Sequence, residues 1–142
     1  MEQHGLQYSV EAVLPKDIEL RWGELAPLLQ KWLNSAFGEY ILTDIRRLLE
    51  AGDFHAWLVR GNGKAVGVCV TAITEFPQKK ILQIVGVAGD KLDEWLELLA
   101  EIEDWAKLNG CVRITGCGRI GWERVLAKRG FYRQYSVIGK DL

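Results

Sequence analysis

The sequence predicts a single α/β domain whose mixed, mostly antiparallel sheet carries helices on both faces, in the order β-α-α-β-β-β-α-β-α-β. Its length of 142 residues suits one domain rather than two. Three strand-like segments follow one another in the middle of the chain, joined by turn signals. After them, helical and strand-like periodicities alternate to the end. Hairpins followed by alternating elements are typical of a mixed sheet covered by helices.

Composition and charge exclude several classes of protein. The chain is 49% hydrophobic and 26% charged, as expected of a compact domain rather than a disordered one. Its 18 basic and 19 acidic residues give a formal net charge of -1, so a nucleic-acid partner is not expected. No stretch reaches the roughly 18 apolar residues of a membrane span. Residues 1–5 do not begin a signal peptide. We therefore predict a cytoplasmic protein with no membrane partner.

The cysteines and histidines are too few and too scattered for a metal site. Cys69, Cys111 and Cys117 are an odd number without CxxC spacing, which indicates reduced thiols. Only His4 and His55 could join them as ligands. We predict no metal cofactor.

The N-terminal part predicts one strand and a long helix. The strand spans 7–14 and ends at Pro15. Apolar residues recurring three and four positions apart predict a helix over 24–37, with Pro27 in its first turn. A shorter helix is expected over 43–51, with Thr43 as its N-cap and Gly52 as the left-handed residue that ends it.

Three strands come next, over 54–60, 64–74 and 80–87. The Gly61–Gly63 segment, GNG, is typical of a tight hairpin between the first two. Pro77 marks the turn before the third.

The last four elements alternate between helix and strand. A long helix is predicted over 90–109, with Asp90 as its N-cap, and a short strand over 111–115. A helix over 120–129 and a closing strand over 131–140 complete the chain.

Short motifs in the C-terminal half carry a family resemblance. Trp105–Gly110 reads WAKLNG, Ala127–Phe131 reads AKRGF, and Gly139–Leu142 closes the chain. With the element order, these segments resemble the general-control-related N-acetyltransferase (GNAT) superfamily. That resemblance implies acetyl-CoA as the acyl donor and a primary amine as the acceptor.

The family's pyrophosphate loop, Q/R-x-x-G-x-G/A, can be aligned in two ways. Counting back from Trp105 places Asp90, Asp93 and Trp95 at the motif positions, where two carboxylates and an indole would repel and block a pyrophosphate. The literal match is Gln83–Ala88, which alternates like a buried strand. We favour the strand interpretation for that segment.

The resemblance also suggests where the donor would be held. Its pantetheine arm would lie along residues 85–87. The candidate cofactor-binding residues are therefore Val85, Val87, Gly89 and Arg119, of which Arg119 could reach a phosphate from its loop.

The acid and base of the reaction are hard to identify. Many family members carry a tyrosine four residues before the glycine of the GF pair, and the matching residue is Leu126, which cannot donate a proton. Tyr132 and Tyr135 are the substitutes on the following strand. Glu75 or Gln83 could act as the general base.

A dinucleotide-binding motif competes with this interpretation. Gly116–Gly121 reads GCGRIG, a literal GxGxxG, and Asp141 lies 20 residues beyond Gly121. The strands before it are predicted to be hairpins rather than parallel strands. We therefore favour a glycine-rich turn.

Charge is segregated along the chain. Residues 90–105 hold seven acidic residues against one lysine, and residues 110–142 hold seven basic residues against two acidic ones. Both segments could simply be solvated faces, or they could dock copies of the chain or a protein partner. Arg124 and Arg133 are the candidate interface cations.

Six tryptophans are many for one small domain. Trp32, Trp57 and Trp95 fit core positions. Trp22, in a predicted turn, and Trp122, at the start of the last helix, fit no apolar stripe and are candidate interface anchors.

Two functions stay open. The first is a CoA-dependent N-acyltransferase; the second is a non-catalytic interaction or assembly protein whose acetyl-CoA site has degenerated. Asp90, Asp93 and Leu126 favour the second. The chain also resembles short proteins of phage and prophage genes, which implies a virion-associated role as one version of it.

Overall fold

A computed structural model describes residues 7–117 and 120–142. The described part contains five strands and four α-helices, and three short 3₁₀ turns lie at 15–17, 92–94 and 96–98. The strands are β1 (Tyr8–Val13), β2 (His55–Gly61), β3 (Lys64–Glu75), β4 (Lys80–Gly89) and β5 (Cys111–Gly116). The helices are α1 (Ile18–Asn34), α2 (Leu42–Ala51), α3 (Leu99–Leu108) and α4 (Ile120–Ala127).

The strands form one sheet in the order β1-β2-β3-β4-β5. The first four are antiparallel neighbours, and β5 is parallel to β4. Asn62 and Gly63, both with positive φ, make the tight β2–β3 turn that the GNG signal predicts. The predicted mixed, mostly antiparallel sheet is confirmed.

Alternating side chains divide the core between the two faces of the sheet. Along β2, Ala56 and Leu58 point to one face and Trp57 to the other, because successive residues of a strand point to opposite sides. We call the side covered by α1 and α2 the α1 face, and the side covered by α3 the α3 face. The helical residues buried on the α1 face are Ile18, Leu25, Leu29, Trp32, Ile45 and Leu49. Those buried on the α3 face are Leu96, Leu99, Ile102 and Ala106.

The first helix begins earlier than the sequence predicts. It starts at Ile18, so Pro27 lies in its interior and Trp22 is helical rather than part of a turn. A proline here removes the hydrogen bond to the carbonyl four residues back, which belongs to Gly23, and its ring crowds that carbonyl. Burial of Leu25 and Leu29 on either side offsets that loss.

The prediction of a long helix over 90–109 is wrong for the first half of that range. Strand β4 continues to Gly89, two 3₁₀ turns follow, and only Leu99–Leu108 is α-helical. Tertiary contacts of Trp95 explain why the first half is not helical. The Trp95 indole packs on Gly67 and donates a hydrogen bond of 3.0 Å to the Asp90 carbonyl, which holds the intervening chain as turns.

The closing strand predicted over 131–140 does not form, and residues 131–142 have no regular secondary structure. The segment is rich in residues that favour strands, but a strand needs a neighbour. In the described part of the chain, no strand pairs with it.

The shorter helix has the predicted end and a different start. Gly52 adopts the left-handed conformation, with φ of 81°, just after the last residue. At the start, the Asp44 carboxylate accepts a hydrogen bond of 3.0 Å from the Ile41 N–H, so Thr43 is not the cap.

Arginine side chains tie β1, β2 and α1 together. Arg60 reaches Glu11 at 2.9 Å and Glu24 at 2.7 Å, and Arg21 also reaches Glu11 at 2.9 Å. Hydrogen bonding to Arg60 lowers the pKa of Glu24. Burial alone would raise the pKa of Glu11, but hydrogen bonds from Arg21 and Arg60 outweigh burial and lower that pKa. Both carboxylates are therefore held in the ionised form.

We expect Arg60→Leu to lower the free energy of unfolding by about 1–3 kcal/mol at pH 7, because two half-buried carboxylates lose their shared cation. A carboxylate whose pKa is lowered on folding stabilises the protein above its unfolded pKa, and that contribution is lost as pH falls through the folded value. The difference between wild type and variant should therefore shrink below about pH 4. Urea denaturation at neutral and acid pH measures both effects.

Arg47→Leu is the matched control. The Arg47 side chain is 75% exposed and, among the described residues, pairs only with Asp44 on its own helix, so its loss should cost less than about 0.5 kcal/mol. If Arg60→Leu lowers the free energy of unfolding by the same amount at neutral and acid pH, Arg60 stabilises the fold by packing alone.

Candidate functional site

The central irregularity of the sheet is a β-bulge in β4. Val70 pairs with Gly86 and Thr71 pairs with Ile84, so Val85 is an extra residue with no partner on β3. A bulge bends its strand and re-aims the neighbouring side chains, and bulges are common beside active sites.

Strand β5 leaves β4 at the same place. The parallel pairing ends at Ile84 and Gly116, although β4 continues through Gly89. Over residues 85–89, the backbone groups of β4 that point away from β3 therefore have no strand partner among the described residues. We call this stretch the free edge of β4.

Gly86 lets α1 approach the bulge closely. A Cβ atom on Gly86 would lie 2.0 Å from Cε2 of Trp32, so only glycine fits beneath the indole. Trp32 is buried, and it fixes the C-terminal end of α1 over the bulge. Neither the bulge nor this contact was predicted from the sequence. The one sequence signal for both features was Gly86 itself, a glycine inside a strand-like run.

A second tryptophan fixes the end of β4 from the α3 face. Trp95 packs against Gly67 and Gly89, and Gly89 has a φ of 148°. A Cβ on Gly89 would lie 2.6 Å from the Val66 carbonyl oxygen. These contacts confirm the core role predicted for Trp95 and set the path of the chain beyond the free edge.

Two carboxylates follow β4 in the chain, Asp90 beside α1 and Glu94 beside β1. Asp90 is exposed, and its carboxylate accepts a hydrogen bond of 3.2 Å from Lys31 of α1. Glu94 accepts one of 2.7 Å from the Tyr8 hydroxyl, which raises the pKa of Tyr8 to about 12. The sequence gives no signal that Lys31 lies beside Asp90, because the two residues are 59 positions apart in the chain.

The cofactor-binding candidates divide between two regions. Val85, Val87 and Gly89 all lie on the free edge of β4. Arg119 lies outside the described residues. The literal loop match Gln83–Ala88 lies wholly within β4, as the strand interpretation predicts.

The acid and base candidates are not brought together. Glu75 pairs with Lys80 at the far end of β4, about 17 Å along the strand from Val85. Gln83 lies beside the bulge and accepts a hydrogen bond of 3.0 Å from Thr74.

The two tyrosine candidates are exposed on the C-terminal segment. Tyr132 is 67% exposed and Tyr135 is 77% exposed, so the fold holds neither against the bulge. Leu126 packs against the core of the α3 face.

The four interface candidates divide into two partly buried tryptophans and two exposed arginines. Trp22 packs against the α1-face core, and the Arg46 guanidinium lies 4.8 Å from its ring centre. Trp122 packs against the α3-face core. Arg133 forms two hydrogen bonds with Glu123, and Arg124 is exposed. Trp22 and Trp122 are therefore partly buried rather than fully exposed, and their role as interface anchors stays a prediction.

A polar cluster on the α3 face was not predicted. The Trp57 indole donates a hydrogen bond of 3.0 Å to the buried Thr71 hydroxyl, which lies 3.4 Å from Nδ1 of His55. Burial lowers the pKa of His55. A cavity of about 70 Å³ lies beside it, closed on one side by Trp105.

Within residues 7–117 and 120–142, no group of three or more His, Cys, Asp or Glu side chains could hold a metal ion. None of the described helices is long and apolar enough to cross a membrane. The three cysteines lie in the described part as free thiols, and burial raises the pKa of Cys69 to about 12.

The GxGxxG motif does not belong to a dinucleotide-binding sheet. Gly118 and Arg119 of the motif lie outside the described residues. The strands that precede it, β2 to β4, are antiparallel neighbours, whereas that fold requires parallel ones.

No protein-family model and no curated protein sequence matches the chain. Solved structures do. An aminoglycoside N-acetyltransferase in complex with CoA matches 100% of this chain and 99% of its own, with a TM-score of 0.72 and 14% identity. A GNAT family acetyltransferase from Staphylococcus aureus matches 95% of this chain and 98% of its own, with a TM-score of 0.64 and 17% identity. The chain has the GNAT acetyltransferase fold.

Solved structures with the GNAT fold differ in the substrates that their names give. A glucosamine-6-phosphate N-acetyltransferase from Arabidopsis thaliana covers 95% of this chain and 98% of its own, with a TM-score of 0.67 and 15% identity. Its acceptor differs from that of an aminoglycoside enzyme. The GNAT fold therefore does not define an acceptor, which has to be argued from the site.

Proposed function

We propose that this protein is an acyl-CoA-dependent N-acyltransferase that moves an acetyl group from acetyl-CoA to a primary amine. One observation carries the proposal: the Val85 bulge coincides with the point where β5 leaves β4. This leaves a strand edge beside a kink, on a fold shared with acetyltransferases, one of them solved in complex with CoA.

The free edge of β4 fits the amide-containing arm of CoA. Backbone amides and carbonyls at an unpaired edge hydrogen-bond to an extended chain that runs beside them. Val85 and Val87 are partly buried on opposite faces of the sheet, so one apolar side chain flanks the free edge on each side. Acetyl-CoA supplies an acyl thioester, whose carbonyl carbon an amine can attack.

The carboxylate of Asp90, just beyond the free edge of β4, is the feature that fits CoA binding least. An arm lying along residues 85–89 would bring the diphosphate of CoA to Asp90. Lys31, already 3.2 Å from Asp90, is placed to offset part of that repulsion. The proposal therefore expects CoA to bind, but weakly.

Proton transfer is left mainly to solvent. At the bulge, Gln83 offers a carboxamide that can orient a water or an amine through hydrogen bonds, but it cannot accept the proton itself. Leu126 cannot protonate the departing thiolate. Since a positioned acid or base contributes about 10²–10⁴-fold, we expect slow turnover that depends on positioning.

The competing function is a non-catalytic interaction or assembly protein. Asp90 and Leu126 favour it, but the solved structures with this fold named above are acetyltransferases, and they give it no support. A phage origin, a virion-associated role, a protein partner and a cytoplasmic location stay predictions.

Acetyl-CoA should raise the melting temperature of the protein. At 100 times its dissociation constant, a ligand stabilises the fold by about 2.7 kcal/mol, equal to a shift of several degrees. Differential scanning fluorimetry measures the shift. 3′-Phosphoadenosine 5′-diphosphate is the matched control: it keeps the nucleotide and the diphosphate of CoA but lacks the pantetheine arm, so it should shift the transition much less, because the β4 edge binds that arm.

Activity is tested in the same samples. Release of free thiol from acetyl-CoA in the presence of aminoglycosides, polyamines and peptide amines would support acyl transfer. A thermal shift without thiol release would favour a non-catalytic CoA-binding protein. No shift at millimolar acetyl-CoA would rule out both.

A further inference from the structure

The cavity of about 70 Å³ lies where β1 ends and β2 begins. Its lining includes Ala12 and Leu14 at the end of β1, His55 and Trp57 of β2, and Trp105 of α3. Ala12 pairs with Trp57 across the two strands, and the single methyl group of Ala12 fills little of the space beside the indole. A small residue on the edge strand therefore leaves room for a ligand.

Two hydrogen-bond donors in this lining have no partner in the described part of the chain. The Thr71 hydroxyl already accepts the Trp57 N–H, so its own hydrogen is directed to Nδ1 of His55, 3.4 Å away. A neutral imidazole that accepts at Nδ1 carries its proton on Nε2. Burial lowers the pKa of His55, which keeps the ring neutral at pH 7. The two donors are therefore Nε2–H of His55 and the indole N–H of Trp105.

Aromatic contacts hold both donors in place. The His55 and Trp105 rings lie 4.8 Å apart in an edge-to-face arrangement, and those of Trp57 and Trp105 lie 5.3 Å apart in the same way. Trp57 is itself buried and fixed by its hydrogen bond to Thr71. A ligand that enters the cavity does not have to order these side chains, which removes part of the entropic cost of binding.

The lining favours a small, neutral ligand. Val13, Pro15 and Phe54 complete the apolar walls, and none of the described lining residues carries a carboxylate or a permanent positive charge. An ion would lose water here without gaining a counter-ion, since His55 is neutral. The volume is about half that of the roughly 150 Å³ cavity that encloses benzene, so it suits about four or five non-hydrogen atoms.

We propose that this cavity is a second ligand site, which binds a small neutral molecule with a branched apolar body and one hydrogen-bond acceptor, such as a tertiary alcohol. The acceptor oxygen takes a hydrogen bond from His55 or Trp105, and the methyl groups pack beside Ala12. The site is separate from the free edge of β4 and does not depend on acyl transfer. The Tyr8–Glu94 contact beside the exit of β4 lies at the other end of β1, roughly 17 Å away.

Titration of the full chain with 2-methyl-2-propanol, followed by two-dimensional NMR, tests the site. We expect a dissociation constant of about 1–10 mM, which is reasonable for so few atoms. The signals of the Trp105 indole N–H and of the His55 ring should shift, and the Trp22 indole N–H should not. Tetramethylammonium is the matched control: it has the same branched shape but carries a charge and no acceptor. It should bind at least about tenfold more weakly.

Two substitutions locate the bound alcohol. Ala12→Leu fills the cavity and should abolish binding, whereas Ala12→Ser is close to alanine in size and should change the dissociation constant less than about threefold. Ala12 is exposed on an edge strand, so both variants should keep the wild-type unfolding transition. His55→Phe removes one donor and should weaken binding roughly threefold to tenfold. The proposal is overturned if the alcohol causes no shift at about 100 mM, if Ala12→Leu binds it as tightly as wild type, or if tetramethylammonium binds as well, which would indicate an aromatic cage for cations.

Discussion

Gly86→Ala is expected to lower the free energy of unfolding by about 2–3 kcal/mol, and Gly86→Val to prevent folding. A Cβ at this position would lie 2.0 Å from Cε2 of Trp32, well inside contact distance. The indole cannot move aside, because it is buried between α1 and β4. The methyl group must therefore push α1 away from the bulge. Urea denaturation followed by circular dichroism measures the loss.

Gly23→Ala is the matched control. Gly23 lies inside α1, and a Cβ there would meet nothing within 4 Å. The same substitution should therefore stabilise the protein by about 0.5–1 kcal/mol, since alanine is the better helix former. Effects of the same sign at the two glycines would contradict the packing described for Trp32.

A double-mutant cycle isolates the contact. Trp32→Leu alone should destabilise the fold, because it removes a large buried side chain. In the Trp32→Leu background, Gly86→Ala should cost at least about 1 kcal/mol less than in wild type. Additive effects would show that the alanine strains the bulge itself rather than the indole.

Neutralising Asp90 is expected to tighten acetyl-CoA binding. A unit charge about 7 Å from a diphosphate that carries two charges costs roughly 1 kcal/mol in water-like surroundings. Asp90→Asn should therefore lower the dissociation constant roughly fivefold to tenfold, and Asp90→Lys, which changes the charge by two units, roughly 30-fold or more. Either change also frees Lys31 from its present partner. Isothermal titration calorimetry at about 0.1 M salt measures the series.

The control for this series is Glu19→Gln. Glu19 lies in the first turn of α1, about 18 Å along the helix from Lys31, which exceeds the screening length at about 0.1 M salt. The dissociation constant should not change. If Asp90→Asn also leaves affinity unchanged while acetyl-CoA does bind, the diphosphate does not lie at the exit of β4.

The elements that the sequence predicts well are those with a local signal. Gly52 ends α2 in the left-handed conformation, and Asn62 and Gly63 make the hairpin turn. The stripe that includes Leu25, Leu29 and Trp32 is buried as its spacing predicts. Each signal arises from one residue's conformational preference or from a fixed period, so no distant contact is needed to interpret it.

The elements predicted wrongly depend on distant contacts. Whether residues 90–98 are helical was decided by Trp95, which binds the Asp90 carbonyl and packs on Gly67, a residue of another strand. Whether residues 131–140 form a strand was decided by the lack of a neighbour in the described part of the chain. The periodicity of the sequence does not show which distant residues a tryptophan contacts or whether a strand has a neighbour to pair with.

The candidate site was predicted in part. Val85, Val87 and Gly89 lie on the free edge of β4, at positions suggested by a family resemblance. Glu75 lies at the other end of the strand. The bulge was not predicted, because one extra residue in a strand changes the pairing and leaves the hydrophobic pattern almost unaltered.

By itself, the sequence determined the class of fold, the order of most of its elements and the charge asymmetry that places acidic residues after β4. Only the tertiary structure decided that β4 is bulged at Val85, that β5 parts from it there, and that Trp32 lies on Gly86. The physical reason is that strand pairing, like the packing of an indole on a glycine, joins residues far apart in the chain. The site is made by such contacts.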